Sequence, residues 1–157
     1  MRILVLSDSH GDVDSMKKAV ERVQPDQIIH LGDHWRDGAA LKKAFPLLPV
    51  AQVPGNCDLY DFSARGPDPL ILSLDGHRVM LTHGHHHHVK SNLLSIRYAA
   101  MEAEAELCLF GHTHIPFLQS VDGLTLLNPG SIGSAHSHDF AVVETDGGKL
   151  RCALLSL

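Results

Sequence analysis

A chain of 157 residues with 44% hydrophobic and 20% charged side chains has the balance of one globular domain, expected here over 1–157, and not that of a disordered or membrane-spanning protein. Its formal charge of −5 and the lack of any basic run speak against bulk nucleic-acid binding. Three widely spaced cysteines, Cys57, Cys108 and Cys152, make neither a disulfide framework nor a CxxC site, and with only a brief apolar run after Met1 the cytoplasm is the expected compartment, with no membrane association.

Arg2 to Leu6 is rich in β-branched residues and leucine and stops at Ser-Asp-Ser-His-Gly, which predicts a buried strand feeding a loop. Asp12 or Asp14 can cap the next segment, where Met16, Ala19, Val20 and Val23 recur at helical spacing before Pro25, so a helix is expected over Val13 to Gln24. Gln27 to Leu31 reads as the second strand, Gly38 to Phe45 as a short helix stopped by Pro46, and Leu47 to Val53 as the third strand. In parallel α/β sheets such strand ends converge on a site.

Asp75-Gly76, Asp122-Gly123 and Asp146-Gly147-Gly148 each separate two apolar runs and predict hairpins. Between them Val89 to Ala105 reads as a helix, with Val89, Leu93, Ile96, Ala100 and Ala103 on one face. The fold class is therefore α/β with added antiparallel strands: a mixed sheet or two stacked mixed β-sheets flanked by helices.

The chain holds 13 histidines, an unusual number for the side chain that most often ligates transition metals. Singly, Asp8, His10 or Asp33 could be ordinary loop residues. Recurrence changes their weight: Asp8-Ser9-His10, Gly32-Asp33, Gly55-Asn56, His83-Gly84 and Gly111-His112-Thr113-His114 all follow predicted strand ends. They offer oxygen and imidazole donors without thiolate, a set suited to Mn, Fe, Co, Ni or Zn. His112 and His114 flank Thr113, and in an extended segment both imidazoles would lie on one side.

This ordered pattern, Asp-x-His, Gly-Asp, Gly-Asn, His-Gly and Gly-His-Thr-His, resembles the calcineurin-like metallophosphoesterase family from Met1 to about Gly133. The short length and Gly55-Asn56-Cys57-Asp58 resemble its small bacterial and archaeal phosphodiesterases. The resemblance implies a four-layer sandwich of two sheets with helices outside. It also implies two divalent metal ions, manganese expected and nickel, iron, cobalt or zinc as alternatives. One ion would be held by Asp8, His10, Asp33 and His114, the other by Asp33, Asn56, His83 and His112, with Asp33 bridging. A shared carboxylate holds two cations roughly 3.5–4 Å apart. The implied reaction is hydrolysis of a small phosphoester, a diester before a monoester, by a metal-bridging hydroxide, with Asp33, Asn56 and His83 essential to it. A non-catalytic metal-binding or protein-assembly scaffold of the same fold is the alternative. Homodimer or higher assembly is compatible with such a chain.

Many family members carry His directly after the third-motif Asn, where this chain has Cys57, a weaker proton donor than imidazolium; Asp58 is the alternative acid, expected to be exposed. His85 is a candidate for phosphate contact, while His86, His87 and His88 read as a solvated run. His30 reads as a satisfied core histidine, Trp35 and Arg36 as packing of their own loop, and His136 and His138 as surface residues. Asn128-Pro129-Gly130-Ser131 reads first as a turn, although it too resembles a family segment near the site.

Overall fold

The computed structural model describes all residues, 1–157. Its strands are β1 (Arg2–Leu6), β2 (Gln27–His30), β3 (Val50–Gln52), β4 (Leu70–Leu74), β5 (His77–Thr82), β6 (Leu107–Phe110), β7 (Phe117–Val121), β8 (Leu124–Asn128), β9 (Asp139–Asp146) and β10 (Lys149–Ser156). Its helices are α1 (Val13–Val23), α2 (Trp35–Ala44) and α3 (Leu94–Glu102). The strands form two five-stranded sheets, ordered β10-β9-β1-β2-β3 and β4-β5-β6-β8-β7.

Alternation along each strand builds the layers. Ile3 and Val5 of β1 join Ile29, Val79, Leu81, Leu107, Leu109 and Leu127 in a core between the sheets. Leu4 and Leu6 face the other way, against Met16, Ala19, Val20 and Leu41 of α1 and α2. On the second sheet Met80, Cys108 and Phe110 turn outward to meet Ile96 and Ala100 of α3. Helix, sheet, sheet, helix is therefore the order of layers, as expected.

Apolar residues on both faces explain where β9 goes. Ala141 and Val143 enter the core between the sheets while Phe140 and Val142 pack toward α1. A strand apolar on both sides belongs in a sheet interior, and β9 lies antiparallel between β1 and β10. The three Asp-Gly turns close antiparallel pairs as expected, but β5, β6 and β8 run parallel, so the second half is mixed.

Three elements start at residues other than those expected. α2 starts at Trp35 because His34 leaves the preceding loop at φ +71°. Gly38 then lies inside the helix, where a Cβ would collide with Gln52 Oε1. β3 is only Val50–Gln52, since Leu48 N–H is used in a turn onto the Phe45 carbonyl and Pro49 has no N–H to give. α3 starts only at Leu94, because His85–His87 forms a tight 3-10 turn ending at His88 with φ +52°. No helix is long and apolar enough to cross a membrane.

Candidate metal centre

Five loops leave the C-terminal ends of β1, β2, β3, β5 and β6 and meet along one rim of the two sheets. Backbone bonds stitch them: Asp8 N–H donates to the Gly32 carbonyl (3.0 Å), Gly111 N–H to the His83 carbonyl (3.1 Å) and Gly133 N–H to the Asp8 carbonyl (3.3 Å). Asp8, His10, Asp33, His112 and His114 all have left-handed backbones, with φ of +52°, +46°, +57°, +67° and +60°. Such residues cost on the order of 1 kcal/mol each and concentrate where side chains are aimed for function. The extended geometry expected of His112-Thr113-His114 is thereby corrected: the two imidazoles diverge into different halves of the site.

One half gathers Asp8, His10, Asp33 and His114, whose donor atoms all lie within 4.8 Å of one another. His10 Nε2 is 3.3 Å from His114 Nε2 and 3.8 Å from Asp33 Oδ2, while His114 Nε2 is 3.1 Å from Asp8 Oδ1. In the other half His83 Nε2 lies 3.0 Å from Asn56 Oδ1 and 3.5 Å from Asp33 Oδ1. The His83 and His112 ring centroids are 5.0 Å apart. Asp33 thus turns one oxygen to each half.

These donors fit divalent cations. His83 is fully buried and its Nδ1 sits 2.7 Å from the Leu31 carbonyl, which can only accept, so in the neutral ring the proton is on Nδ1 and Nε2 is the ligand atom. Nε2 lies 3.0 Å from the side-chain oxygen of Asn56, so the two atoms are placed to serve one cation together. Asp8 Oδ1 is buried with His114 Nε2 beside it at 3.1 Å, whereas Oδ2 accepts from the Ser7 hydroxyl and from His112 N–H. Burial pushes the Asp8 carboxyl up, but His114, His83 and Ser7 outweigh it and hold the group below the usual carboxylate range. Burial and the neighbouring His83 push His112 down to about 4, so it too offers a lone pair.

Beneath the first loop lies a network that sequence reasoning did not find. His30 is fully buried, as expected of a core histidine, and its Nε2 is 3.0 Å from Ser9 Oγ. Ser9 in turn donates to Asp37 Oδ2 (2.7 Å), which also accepts from Gly11 N–H (2.8 Å). Ser9 is therefore acceptor to a neutral His30, and the residues on either side of it, Asp8 and His10, are held in place. Nothing local marks Asp37 in the sequence, because it works across 28 residues of chain.

Burial lowers the His30 pKa from 6.5 to about 4. The unfolded chain then takes up the proton first, so stability is full above pH 6.5 and falls as pH drops toward 4, by about 3 kcal/mol in total. In chelator, urea unfolding at pH 8 and pH 5 should show wild type losing about 2 kcal/mol more than His30→Asn across that interval. Equal losses would refute the assignment.

Other candidates fall differently. Asp58, expected to be exposed, is buried and accepts from Trp35 N–H (2.7 Å) and Gly55 N–H (2.8 Å); both oxygens are committed to backbone, so its place among substrate-contacting acids is corrected to that of a loop clasp. Cys57 gives its backbone N–H to Asp33 Oδ1 (2.9 Å). Its thiol is pushed up to about 11 by partial burial and the Asp33 carboxylate, which makes it a weak proton donor. Asn128 donates to the Gly111 carbonyl (2.8 Å) and Thr113 (3.1 Å), and Ser131 to the Asp8 carbonyl (2.8 Å). That segment therefore braces two ligand loops rather than serving only as a turn. Arg36 pairs with Asp61 at 2.9 Å. With His34, Cys57 and Tyr60 it lines a recess of about 290 Å³. His136 is exposed, while His138 is half-buried and its Nδ1 meets the Ile132 carbonyl at 2.9 Å.

Comparison with known proteins gives the family and the fold. Residues 1–148 match the calcineurin-like phosphoesterase superfamily domain. The probable metallophosphoesterase YsnB of Bacillus subtilis is 37% identical over 135 residues, 84% of this chain and 75% of that one. A crystal structure of a predicted phosphoesterase from Streptococcus pneumoniae superposes with a TM-score of 0.81 at 32% identity, covering 99% of this chain and 88% of that one. The phosphodiesterase YfcE of Escherichia coli is 27% identical over 154 residues, 84% of this chain and 79% of that one.

Proposed function

We propose that this chain, which belongs to the calcineurin-like phosphoesterase superfamily, is a dinuclear metal-dependent phosphodiesterase acting on a small phosphoester. The observation that carries the reading is the pair of donor sets meeting at Asp33, whose Oδ2 faces His10 and whose Oδ1 faces His83. When bound, two divalent ions would supply Lewis acidity, activating water and neutralising charge on the phosphoryl oxygens.

The chain's own residues do the rest. Asp8, His10, Asp33 and His114 form one ligand set and Asp33, Asn56, His83 and His112 the other. The Leu31 carbonyl keeps the His83 proton on Nδ1. Cys57 N–H fixes one oxygen of Asp33, and the His30-Ser9-Asp37 chain holds the loop that carries Asp8 and His10. Manganese is the proposed ion, with nickel, iron, cobalt or zinc able to use the same donors.

Without an imidazole at position 57, substrates whose leaving group departs as a stable anion are favoured. The nearby recess bounded by Arg36 and Tyr60 suits the second substituent of a small diester, and YfcE's designation as a phosphodiesterase supports that class. Metal-stripped protein given Mn, Ni, Co, Fe or Zn should cleave a chromogenic phosphodiester in preference to its monoester. If the folded protein binds both ions yet cleaves neither ester, the phosphodiesterase reading falls and a metal-binding or assembly scaffold replaces it.

A further inference from the structure

The histidine run leaves a second cluster outside the dinuclear ligand set. Asp68 lies just before β4, and its side chain is only 5% exposed. Neither of its oxygens has a hydrogen-bond partner, and His85 Nδ1, 3.9 Å from Asp68 Oδ2, is also buried and unpartnered. A buried carboxylate without a donor is costly, by roughly several kcal/mol, unless a cation compensates it. No Lys or Arg pairs with Asp68. His86 stacks beside His85 with ring centroids 3.8 Å apart. One donor atom from each of Asp68, His85 and His86 lies within 4.8 Å of the others.

We propose that Asp68, His85 and His86 form a third metal site, distinct from the dinuclear centre, that takes a divalent first-row ion of the zinc, cobalt or nickel kind. Two imidazoles and one carboxylate suit ions of borderline hardness, and three protein donors leave a position for water or a substrate oxygen. His86 is exposed, so the site opens to solvent. The ion neutralises Asp68 and fastens the loop before β4 to the turn that follows His83. It accounts for His85 as a ligand in place of direct phosphate contact. Because the His83 and His85 rings are 5.3 Å apart, the site shares a wall with the dinuclear centre.

The test is metal counting on the full chain. Wild type, Asp68→Asn, His86→Ala and Asp33→Ala are equilibrated with Co²⁺ and assayed by elemental mass spectrometry and visible absorption. Three ions per wild-type chain are expected, with one fewer in Asp68→Asn and in the surface variant His86→Ala. Asp33→Ala should lose ions from the dinuclear centre while keeping the one that depends on Asp68. If Asp68→Asn and His86→Ala both bind as many ions as wild type, the third site does not exist. If their loss is seen while Asp33→Ala matches wild type, the third site stands and it is the dinuclear reading that fails.

Discussion

Replacing Asp33 by alanine should lower metal-restored phosphodiester hydrolysis roughly 1,000-fold or more and remove at least one bound ion per chain. The size follows from the geometry, because Asp33 is the one carboxylate directed to both halves, with Oδ2 3.8 Å from His10 Nε2 and Oδ1 3.5 Å from His83 Nε2. Its removal uncouples two donor sets, whereas loss of His10 or His114 would thin only one. The side chain is 3% exposed, so the carboxylate is held inside the site and not at its solvent edge. Circular dichroism and an unfolding curve should show the variant folded, separating loss of ligand from loss of fold. An Asp33→Ala protein that keeps both its ions and its turnover would remove Asp33 from the centre.

The second large effect is steric. Gly55→Ala should destabilise the protein by about 3 kcal/mol or more and abolish metal binding at the dinuclear centre, because a Cβ at Gly55 would fall inside contact distance of Asp33 backbone N and Oδ1. Neither atom can yield: the carboxylate is fixed by Cys57 N–H and the backbone leads out of β2. Gly76 is the informative comparison. It has φ +90°, and a Cβ there would meet nothing within 4 Å, so Gly76→Ala should cost only about 1 kcal/mol of backbone strain and leave metal binding intact. Urea midpoints and Co²⁺ titration read both effects. Equal behaviour of the two variants would show that the loops after β2 and β3 do not approach this closely.

Both predictions depend on the convergence of distant loops, and the sequence shows that convergence unevenly. Apolar runs ending in Asp, His or Asn marked the loops, because a buried strand must be apolar until it leaves the sheet, and polar residues clustered there stand out. Periodicity likewise exposed α1, as the Asp-Gly turns between apolar runs exposed the three hairpins. Yet periodicity has a limit. It overextended α3, since Val89 and Leu93 pack into the same cluster as Ile96 and Ala100 without being helical; burial alone preserved the apolar spacing.

What the sequence determined by itself was the donor chemistry, the loops that carry it and the layered α/β class, all of which follow from local residue type and alternation. The grouping of His112 with His83 and of His114 with His10 was implied by the family resemblance, and only the tertiary structure decided how it is reached: the two rings diverge, Asp58 was drawn inward to clasp backbone, and Asp37 reached Ser9 across 28 residues. Those outcomes depend on left-handed backbone turns and on strand order. Neither is written in residue spacing, because several distant segments must pack before either has an energetic consequence.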